Sequence, residues 1–406
     1  MSKFVLLLLV MAVLKQSAFG QDYWLPKDTV NGAPKSAATS FVIENRAYLV
    51  TGTDDFEYKR KMYSYRADQN DWDDEVSLGG DGGDGLGRVG ATSFSLQQEG
   101  QTKGYVALGQ TQTIAFMNDL WEYDRSTEAW TQKANFTGAP RREAVSFVIA
   151  NKAYVGTGNS ATGFKKDFYT YDPSSNSWEQ ITDFAGTARR AAVAFSMENY
   201  GFIGTGDDGT LCNDFWMYNP QTDLWIQKAN FPGGARAGAC GWAAFPVCYL
   251  GTGQDANYTY LNDLWEYNYF LNNWTQRAYL PGPGRKNAVA FYLDGWGFIG
   301  TGYNNGTFYD DLWAYSGTAA LAEKEGSTIE VFPNPTADFI ALTTPLSAEN
   351  PTIFNQFGQK MIFTHQKVGS KLVLDVRHFP NGLYYLQLNA AQLQQSTTFV
   401  KCNGSL

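Results

Sequence analysis

The chain has 406 residues, of which 44% are hydrophobic and 16% aromatic, enough to build one large or two smaller globular domains. Its formal net charge is −9 and it has no basic stripe, so we do not expect a nucleic acid or an anionic membrane surface as its partner. Both histidines, His365 and His378, lie near the C-terminus, which excludes a histidine-based catalytic triad and a histidine-built zinc or copper site from the long preceding part.

The N-terminus has the pattern of a secretory signal peptide. An apolar run from Phe4 to Leu14 follows Lys3, and Ala18-Phe19-Gly20 supplies the small residues of a cleavage site. The run is too short to span a bilayer, and no later stretch approaches the length that a membrane-spanning helix needs. We therefore expect residues 1–20 to be a signal peptide and the mature chain to have no transmembrane segment.

A unit of about 48 residues is repeated through residues 21–315. Its clearest copy, residues 141–188, contains four short segments with strand-like alternation, joined by turn-forming residues. Each copy begins with Lys or Arg and reaches a Gly at the end of its second strand. Five copies then carry a Tyr seven residues before a Trp, namely Trp72, Trp130, Trp178, Trp225 and Trp274. Four strands per copy predict one blade of a β-propeller.

The sixth copy ends at Tyr315 and lacks this Trp. At the other end of the chain, Trp24 lies eleven residues before Lys35, the interval that also separates Trp130 from Arg141. We therefore expect the strand around Trp24 to pair with the sixth copy and close the ring, which leaves no free sheet edge. The predicted fold is all-β, with a six-bladed propeller over residues 21–315.

These repeats resemble the kelch family, in which a small residue and Gly end the second strand and Asp, Tyr and Trp follow at set distances. The resemblance covers residues 22–315 and implies a kelch-type propeller. Galactose oxidase, a kelch-type enzyme, binds copper through histidine and tyrosine, and the absence of histidine from these repeats excludes that chemistry. Sialic acid epimerases, which are secreted six-bladed kelch proteins, are the nearest enzymatic alternative.

Two features of the repeats leave alternatives open. A Gly-rich insert at residues 79–87 brings Asp81 and Asp84 close together, which fits either a calcium ion or a polar loop; we expect no metal or cofactor, because no bidentate Glu or regular Asp spacing follows. The four cysteines allow three disulfide pairings, or some serve as small apolar side chains; they are Cys212, Cys240, Cys248 and Cys402.

The repeats differ most in the connection from the second to the third strand. In a propeller these loops share one face with the inter-blade connections that carry the repeated basic residues. Aromatic rings beside Arg and Asp suit a saccharide or a peptide. The candidate ligand-binding residues on this face are Tyr58, Phe116, Phe164, Tyr258, Tyr260, Phe308, Tyr309, Arg236 and Arg285.

An Asp stands just before the third strand in five copies, at Asp119, Asp167, Asp214, Asp263 and Asp311. Because it recurs from blade to blade, we expect it to bond backbone groups or to pair with the repeated Arg, and not to take part in catalysis. We assign no catalytic residue from the sequence.

After Tyr315 the repeat stops, and residues 316–327 have the composition of a linker. Residues 328–406 alternate apolar and polar positions between turns and predict a small β-sandwich. They resemble the C-terminal sorting domain of proteins exported by the type IX secretion system of Bacteroidetes-type bacteria, through Pro333, Asn334, Pro335, Gly358, Gly382 and Lys401. The resemblance implies recognition by that machinery, transit through the periplasm, and release or anchoring at the cell surface.

We interpret the chain as a secreted or cell-surface kelch propeller that acts as a binding or adhesion module for a glycan or a protein. The alternative is a carbohydrate-active enzyme like the sialic acid epimerases, since Asp, Glu, Arg and Tyr can move protons at a sugar carbon. The carboxylates that are not repeated in every blade are Glu57, Asp207, Asp208 and Asp255.

Overall fold

The computed structural model describes residues 22–31, 33–80, 82–83, 86–317, 330–332, 336–343, 350–355, 359–368, 371–390 and 393–401. The chain divides into two compact units, of which one is Tyr23–Ser316 and the other contains Gly317–Leu406. Within the described ranges the regular structure consists of strands, and none of it is a helix long and apolar enough to cross a membrane. The predicted signal peptide, residues 1–20, lies outside the described residues.

Tyr23–Ser316 contains six four-stranded antiparallel sheets, which we number as blades 1 to 6 in chain order. The strands of blades 1 to 3 are Thr39–Ile43, Arg46–Val50, Met62–Arg66 and Asp71–Glu75; Thr92–Gln98, Gln101–Ala107, Leu120–Asp124 and Ala129–Lys133; and Val145–Ile149, Lys152–Gly156, Phe168–Asp172 and Ser177–Ile181. Those of blades 4 to 6 are Val193–Met197, Tyr200–Gly204, Phe215–Asn219 and Leu224–Gln227; Cys240–Ala244, Val247–Gly251, Leu264–Asn268 and Asn273–Arg277; and Val289–Leu293, Trp296–Gly300, Leu312–Ser316 and Tyr23–Lys27.

The predicted closing strand is confirmed. Tyr23–Lys27 forms the outer strand of blade 6, with Trp24 opposite Tyr315. The first strand of each blade packs on the first strand of the next, and that of blade 6 packs on that of blade 1. The sheets therefore form a closed ring, whose outer edge strand in blade 6 comes from the other end of the repeat array.

A ring of backbone hydrogen bonds links the six blades. One residue near the start of each blade donates its N–H to the carbonyl of its counterpart in the neighbouring blade, at 2.7 to 3.2 Å. All six have a positive φ, a conformation that Gly90 and Gly238 adopt without strain. The six residues, in chain order, are Ala37, Gly90, Glu143, Ala191, Gly238 and Asn287.

The repeated Tyr and Trp hold each blade to the connection that enters it. In blade 3, Tyr171 is fully buried and opposite Trp178, and their ring centroids are 5.0 Å apart. The indole N–H of Trp178 donates to the carbonyl of Ala134 at 2.9 Å. Equivalent indole bonds occur at Trp24, Trp72, Trp130, Trp225 and Trp274. This contact holds the entering connection against the outer strand of its blade, and Trp130 keeps it although the connection from Trp72 to Arg88 is longer than the others.

Two four-stranded sheets make up the described part of the C-terminal unit. Their buried core includes Ile340, Ile353, Leu374 and Tyr384. The strands are Glu330–Phe332, Phe339–Thr343, Lys371–Asp375 and Thr364–Val368 in one sheet, and Lys360–Met361, Asn350–Asn355, Gly382–Ala390 and Leu393–Lys401 in the other.

Two of the predicted sorting residues, Gly382 and Lys401, lie opposite each other on paired strands of the C-terminal unit. The other four lie outside the described residues; they are Pro333, Asn334, Pro335 and Gly358.

Candidate functional site

In five blades the repeated Arg and the repeated Asp form a buried ion pair. In blade 5, Nη1 of Arg236 donates to Oδ1 of Asp263 at 2.6 Å and Nη2 donates to Oδ2 at 2.9 Å. Nη1 also bonds the carbonyl of Thr252 at 2.9 Å. The same pairing joins Arg88 to Asp119, Arg141 to Asp167, Arg189 to Asp214 and Arg285 to Asp311. The repeated Asp therefore has the structural role expected of it, as the partner of the Arg.

This pairing corrects one interpretation of the sequence. Arg236 and Arg285 were expected to be candidate ligand contacts, but both side chains have 0% exposed surface. Their guanidinium groups are occupied by a carboxylate and by backbone carbonyls, because each arginine points into its own blade and not into the open channel. We assign both arginines to the structure of the blades.

Blade 1 has no such ion pair. Lys35 replaces the Arg, and Lys61, directly before the third strand Met62–Arg66, replaces the Asp. Both ammonium groups lie over the ring of Tyr63, with Nζ at 4.3 Å from its centroid for Lys35 and 4.8 Å for Lys61. Lys35 is only 2% exposed. Among the described residues its ammonium group has no hydrogen-bond or ion-pair partner, whereas Lys61 pairs with Asp74 at 3.0 Å.

A cavity of about 740 Å³ opens at this irregular blade. Four cationic side chains line it, together with two tyrosine rings and two carboxylates. These residues are Lys35, Lys59, Arg60, Lys61, Tyr58, Tyr63, Asp54 and Glu57. Of the sequence-predicted aromatic candidates, Tyr58 lies in this lining, so the cavity is on the face of the variable loops.

The charge of Lys35 is destabilised by its surroundings. Burial, and then the neighbouring cations Lys59 and Lys61, lower the pKa of Lys35 to about 7. The carboxylates of Asp54 and Asp74 act in the opposite direction but do not compensate. The amine is therefore half-protonated near neutral pH, a property that a lysine acquires only where water and counterions are scarce.

Hydrogen bonds hold the walls of the cavity in place. The side chain of Gln112, from the neighbouring loop of blade 2, accepts from the N–H of Tyr58 at 3.2 Å and donates to the carbonyl of Phe56 at 3.1 Å. Nη1 of Arg60 donates to the carbonyl of Gly80 at 2.6 Å. The loops of blades 1 and 2 thus form one preformed wall.

A second polar cluster lies on the same face, beside the hydrogen-bonded ring. Arg190 pairs with Asp207 at 3.0 Å and with Glu143 at 3.3 Å. Nζ of Lys286 donates to Gln254 at 2.8 Å. Two predicted aromatic candidates are found here, since Phe164 packs on Arg190 and Tyr260 packs on Lys286. Its cations were not identified from the sequence, although the position after the repeated basic residue, which differs from copy to copy, was a usable signal.

The remaining aromatic candidates do not converge on one site. Tyr309 packs on the buried Arg285, and Phe308 packs on Tyr303. Tyr258 is 80% exposed at the tip of its loop. Phe116 bridges to Gln110 within blade 2. The predicted set is therefore spread over the face, with Tyr58 alone at the cavity of blade 1.

The structure describes only some of the residues in the metal and cysteine hypotheses. Asp81 and Asp84 lie outside the described residues. Over the residues that the structure does describe, no group of three or more His, Cys, Asp or Glu is arranged to hold a metal ion. Cys212, Cys240 and Cys248 are free thiols, and Cys402 is outside the described ranges. Burial raises the pKa of Cys240 to about 11, as expected for a packing residue.

Comparisons with known proteins agree with this architecture. A ring of four-stranded sheets defines the class of β-propellers. The family model described as the KLHDC2/KLHL20/DRC7 Kelch-repeats domain matches residues 36–245, just over half of the chain. The protein therefore belongs to the kelch-repeat family. A second model, the secretion system C-terminal sorting domain, matches residues 330–402, so the propeller is followed by a type IX sorting domain.

A solved structure titled "Structure of YjhT" is similar to the chain in fold. It is 16% identical, with a TM-score of 0.57, and the match covers 72% of this chain and 99% of that one. At this identity the likeness shows the fold alone. No curated protein matches the sequence.

Proposed function

We propose that this protein is an exported kelch propeller that binds a glycan or a protein on the face of its variable loops. One observation carries the proposal: the cavity of about 740 Å³ opens at blade 1, where the repeated ion pair is missing. Its volume lies within the roughly 300–1,000 Å³ that is typical of ligand sites. Five blades follow one structural rule at this position, and the blade that departs from it carries the cavity.

The lining of the cavity suits recognition of a polar ligand. Tyr58 presents an aromatic ring on which a sugar ring or an apolar side chain can stack, whereas the ring of Tyr63 is buried against Lys35 and Lys61. Lys59 and Gln112 offer hydrogen-bonding groups from two different blades. Because Gln112 already ties the two loops together, little ordering is needed when a ligand binds.

A carbohydrate-active enzyme similar to the sialic acid epimerases is the second candidate. The observation that favours it is the cluster of Arg190, Glu143 and Asp207 on the same face. Both carboxylates are, however, paired with the guanidinium group of Arg190, and an ion-paired carboxylate is a weak general base. We therefore favour a binding function.

Array binding tests the function. The mature full chain and two variants, Tyr58→Ala in the cavity and Leu271→Ala, would be probed on glycan and peptide arrays. Leu271 is an exposed apolar residue in the hairpin after the third strand of blade 5, on the opposite face. We expect the Tyr58→Ala signal to fall and the Leu271→Ala signal to equal that of the wild type. Equal loss in both variants, or turnover of a sugar without retained binding, would contradict the binding function.

For export, we propose that the chain passes through the periplasm and is released or anchored at the outer surface. The match of residues 330–402 to the sorting-domain model supports this route. A chain truncated at Gly326 should accumulate in the periplasm of the native host, with the full chain outside. Fractionation with immunodetection measures both. Truncated protein at the cell surface in normal amount would refute the role of the C-terminal segment.

A further inference from the structure

The position of the repeated ion pair has the same two charged groups in five of the six blades. In blades 2 to 6 each buried guanidinium group faces a carboxylate, so both charges are neutralised. In blade 1 Lys35 is 2% exposed and lines the cavity, and its ammonium group shares the ring of Tyr63 with Lys61. A buried charge without a counterion is strongly unfavourable, and an ammonium group has three hydrogens to donate. None of the described residues accepts a hydrogen bond from this ammonium group. Blade 1 therefore lacks the acceptor that the Asp carboxylate supplies in each of the other five blades.

The other charges around the cavity do not meet this requirement. Lys59 pairs with Asp54 at 2.8 Å and with Glu57 at 2.5 Å, which occupies both carboxylates. Asp74 is paired with Lys61. Arg60 donates to the neutral carbonyls of Leu78 and Gly80 and not to a carboxylate. Four cations therefore line the cavity with two carboxylates, Asp54 and Glu57, and these two and the neighbouring Asp74 are already engaged, in a chain whose net charge is negative.

We propose that the cavity of blade 1 binds an oxyanion of its ligand, a carboxylate, sulfate or phosphate group, through the ammonium group of Lys35. This inference rests on the proposed function, since it assigns a chemistry to the same cavity. The anion takes the place that the Asp carboxylate holds in the other five blades. The ring of Tyr63 lies against the ammonium group, with Nζ 4.3 Å from the ring centroid, and the group also lines the open cavity.

The charge state of Lys35 provides a second signature. Lys61 keeps its charge above pH 7, because its hydrogen bond with Asp74 raises its pKa. Lys59 does the same, because its bonds to Asp54 and Glu57 outweigh the effect of burial. Deprotonation of Lys35 therefore removes positive charge from the cavity as the pH rises through about 7. The affinity for an oxyanion should therefore fall over this pH range, and not only near the ordinary pKa of lysine.

Calorimetric titration of the mature full chain tests the proposal. The probes are sodium acetate, sodium sulfate and sodium phosphate, against a chloride background of constant ionic strength, at pH 6 and pH 9. At pH 6 we expect at least one probe to bind at a single site, and the probe that binds best identifies a planar or a tetrahedral anion. Lys35→Met should weaken that binding at least tenfold, and Lys35→Arg should retain it. At pH 9 the wild type should bind as weakly as Lys35→Met.

Lys152→Met is the matched control, since Lys152 forms an exposed ion pair with Asp172 in blade 3 and should leave binding unchanged. Lys35→Gln replaces Lys35→Met if the latter does not fold. The inference is overturned if no probe binds the wild type at pH 6, or if Lys35→Met binds as tightly as the wild type. If array binding nevertheless depends on Tyr58, the proposed function stands and the anion site alone is wrong.

Discussion

Blades 1 and 5 each have four strands of five residues but differ in charge at one position. In blade 5, Arg236 and Asp263 form a bidentate pair that fills the blade entrance. In blade 1, Lys35 and Lys61 share the face of Tyr63, and a cavity opens beside them. The comparison shows that a repeat array can pair the charges at one position in most copies and leave two cations side by side there in one copy.

The fold tolerates the exchange because other contacts hold blade 1 in the ring. Ala37 keeps its place in the closed circle of backbone hydrogen bonds. The indole of Trp72 still bonds the carbonyl of Asp28. Tyr65, opposite Trp72, is fully buried as in the other blades. Blade 1 therefore keeps the architecture of the other blades without the ion pair.

Breaking the pair in blade 5 should have the largest effect. Asp263→Ala leaves the buried guanidinium group of Arg236 without a counterion, and we expect a loss of about 3–5 kcal/mol in the free energy of unfolding. Urea denaturation measures it. Lys152→Met, which breaks an exposed ion pair, should change stability by about 1 kcal/mol or less. Similar effects of the two variants would show that the repeated pair does not stabilise the blades.

Removing the unpaired charge of blade 1 should have the opposite sign. Lys35→Met should raise the free energy of unfolding at pH 6 by a few kcal/mol, because the pKa of Lys35 falls to about 7 in the fold and one pKa unit corresponds to about 1.4 kcal/mol. Lys152→Met again serves as the comparison. A decrease in stability on Lys35→Met would mean that the ammonium group is satisfied in the folded protein.

The same shift predicts a pH dependence of wild-type stability. Between pH 7 and the ordinary lysine pKa of 10.5, the unfolded chain holds a proton on Lys35 that the folded chain has lost. Stability should therefore increase with pH in this window, relative to Lys35→Met. Urea midpoints at half-unit steps of pH would show the two curves converging. If the two curves stay parallel, the pKa of Lys35 is not lowered in the folded protein.

The smallest change in stability is expected at the loop tips. Tyr258→Ala combined with Tyr260→Ala should alter the free energy of unfolding by about 1 kcal/mol or less, since Tyr258 is largely exposed and the ring of Tyr260 packs against the loop residues Tyr303 and Lys286. The same double variant should weaken ligand binding if the ligand extends from the cavity of blade 1 across the face of the variable loops. A large loss of stability would place these rings in the core instead.

The fold was predictable because its contacts repeat in the sequence. Four copies have eleven residues from the blade Trp to the next basic residue, and Trp24, eleven residues before Lys35, was identified as the missing strand by that interval. The site was harder to predict. From the sequence, Lys35 groups with the repeated arginines as one basic position, and its partner position, Lys61, lies directly before the third strand, 26 residues later.

Burial was the missing information for the arginines. Nothing in the sequence around Arg236 or Arg285 distinguishes a guanidinium group that faces the channel from one that is enclosed by its own blade. Aligning the copies on the residue before the third strand does reveal the exception, because Asp occupies it in five copies and Lys61 in the first. The one copy that lacks the Arg–Asp pair lies at the cavity, whereas the predicted aromatic residues are spread over the whole face.

The most direct test restores the Arg–Asp ion pair in blade 1. Lys35→Arg combined with Lys61→Asp recreates the pair found in the other five blades. Urea unfolding of this double variant would be measured with and without the oxyanion that binds the wild type. The account predicts that the variant is more stable than the wild type without the anion and gains nothing from it, whereas the wild type is stabilised in proportion to its affinity. A variant that is less stable, or that gains as much from the anion as the wild type does, would contradict the account.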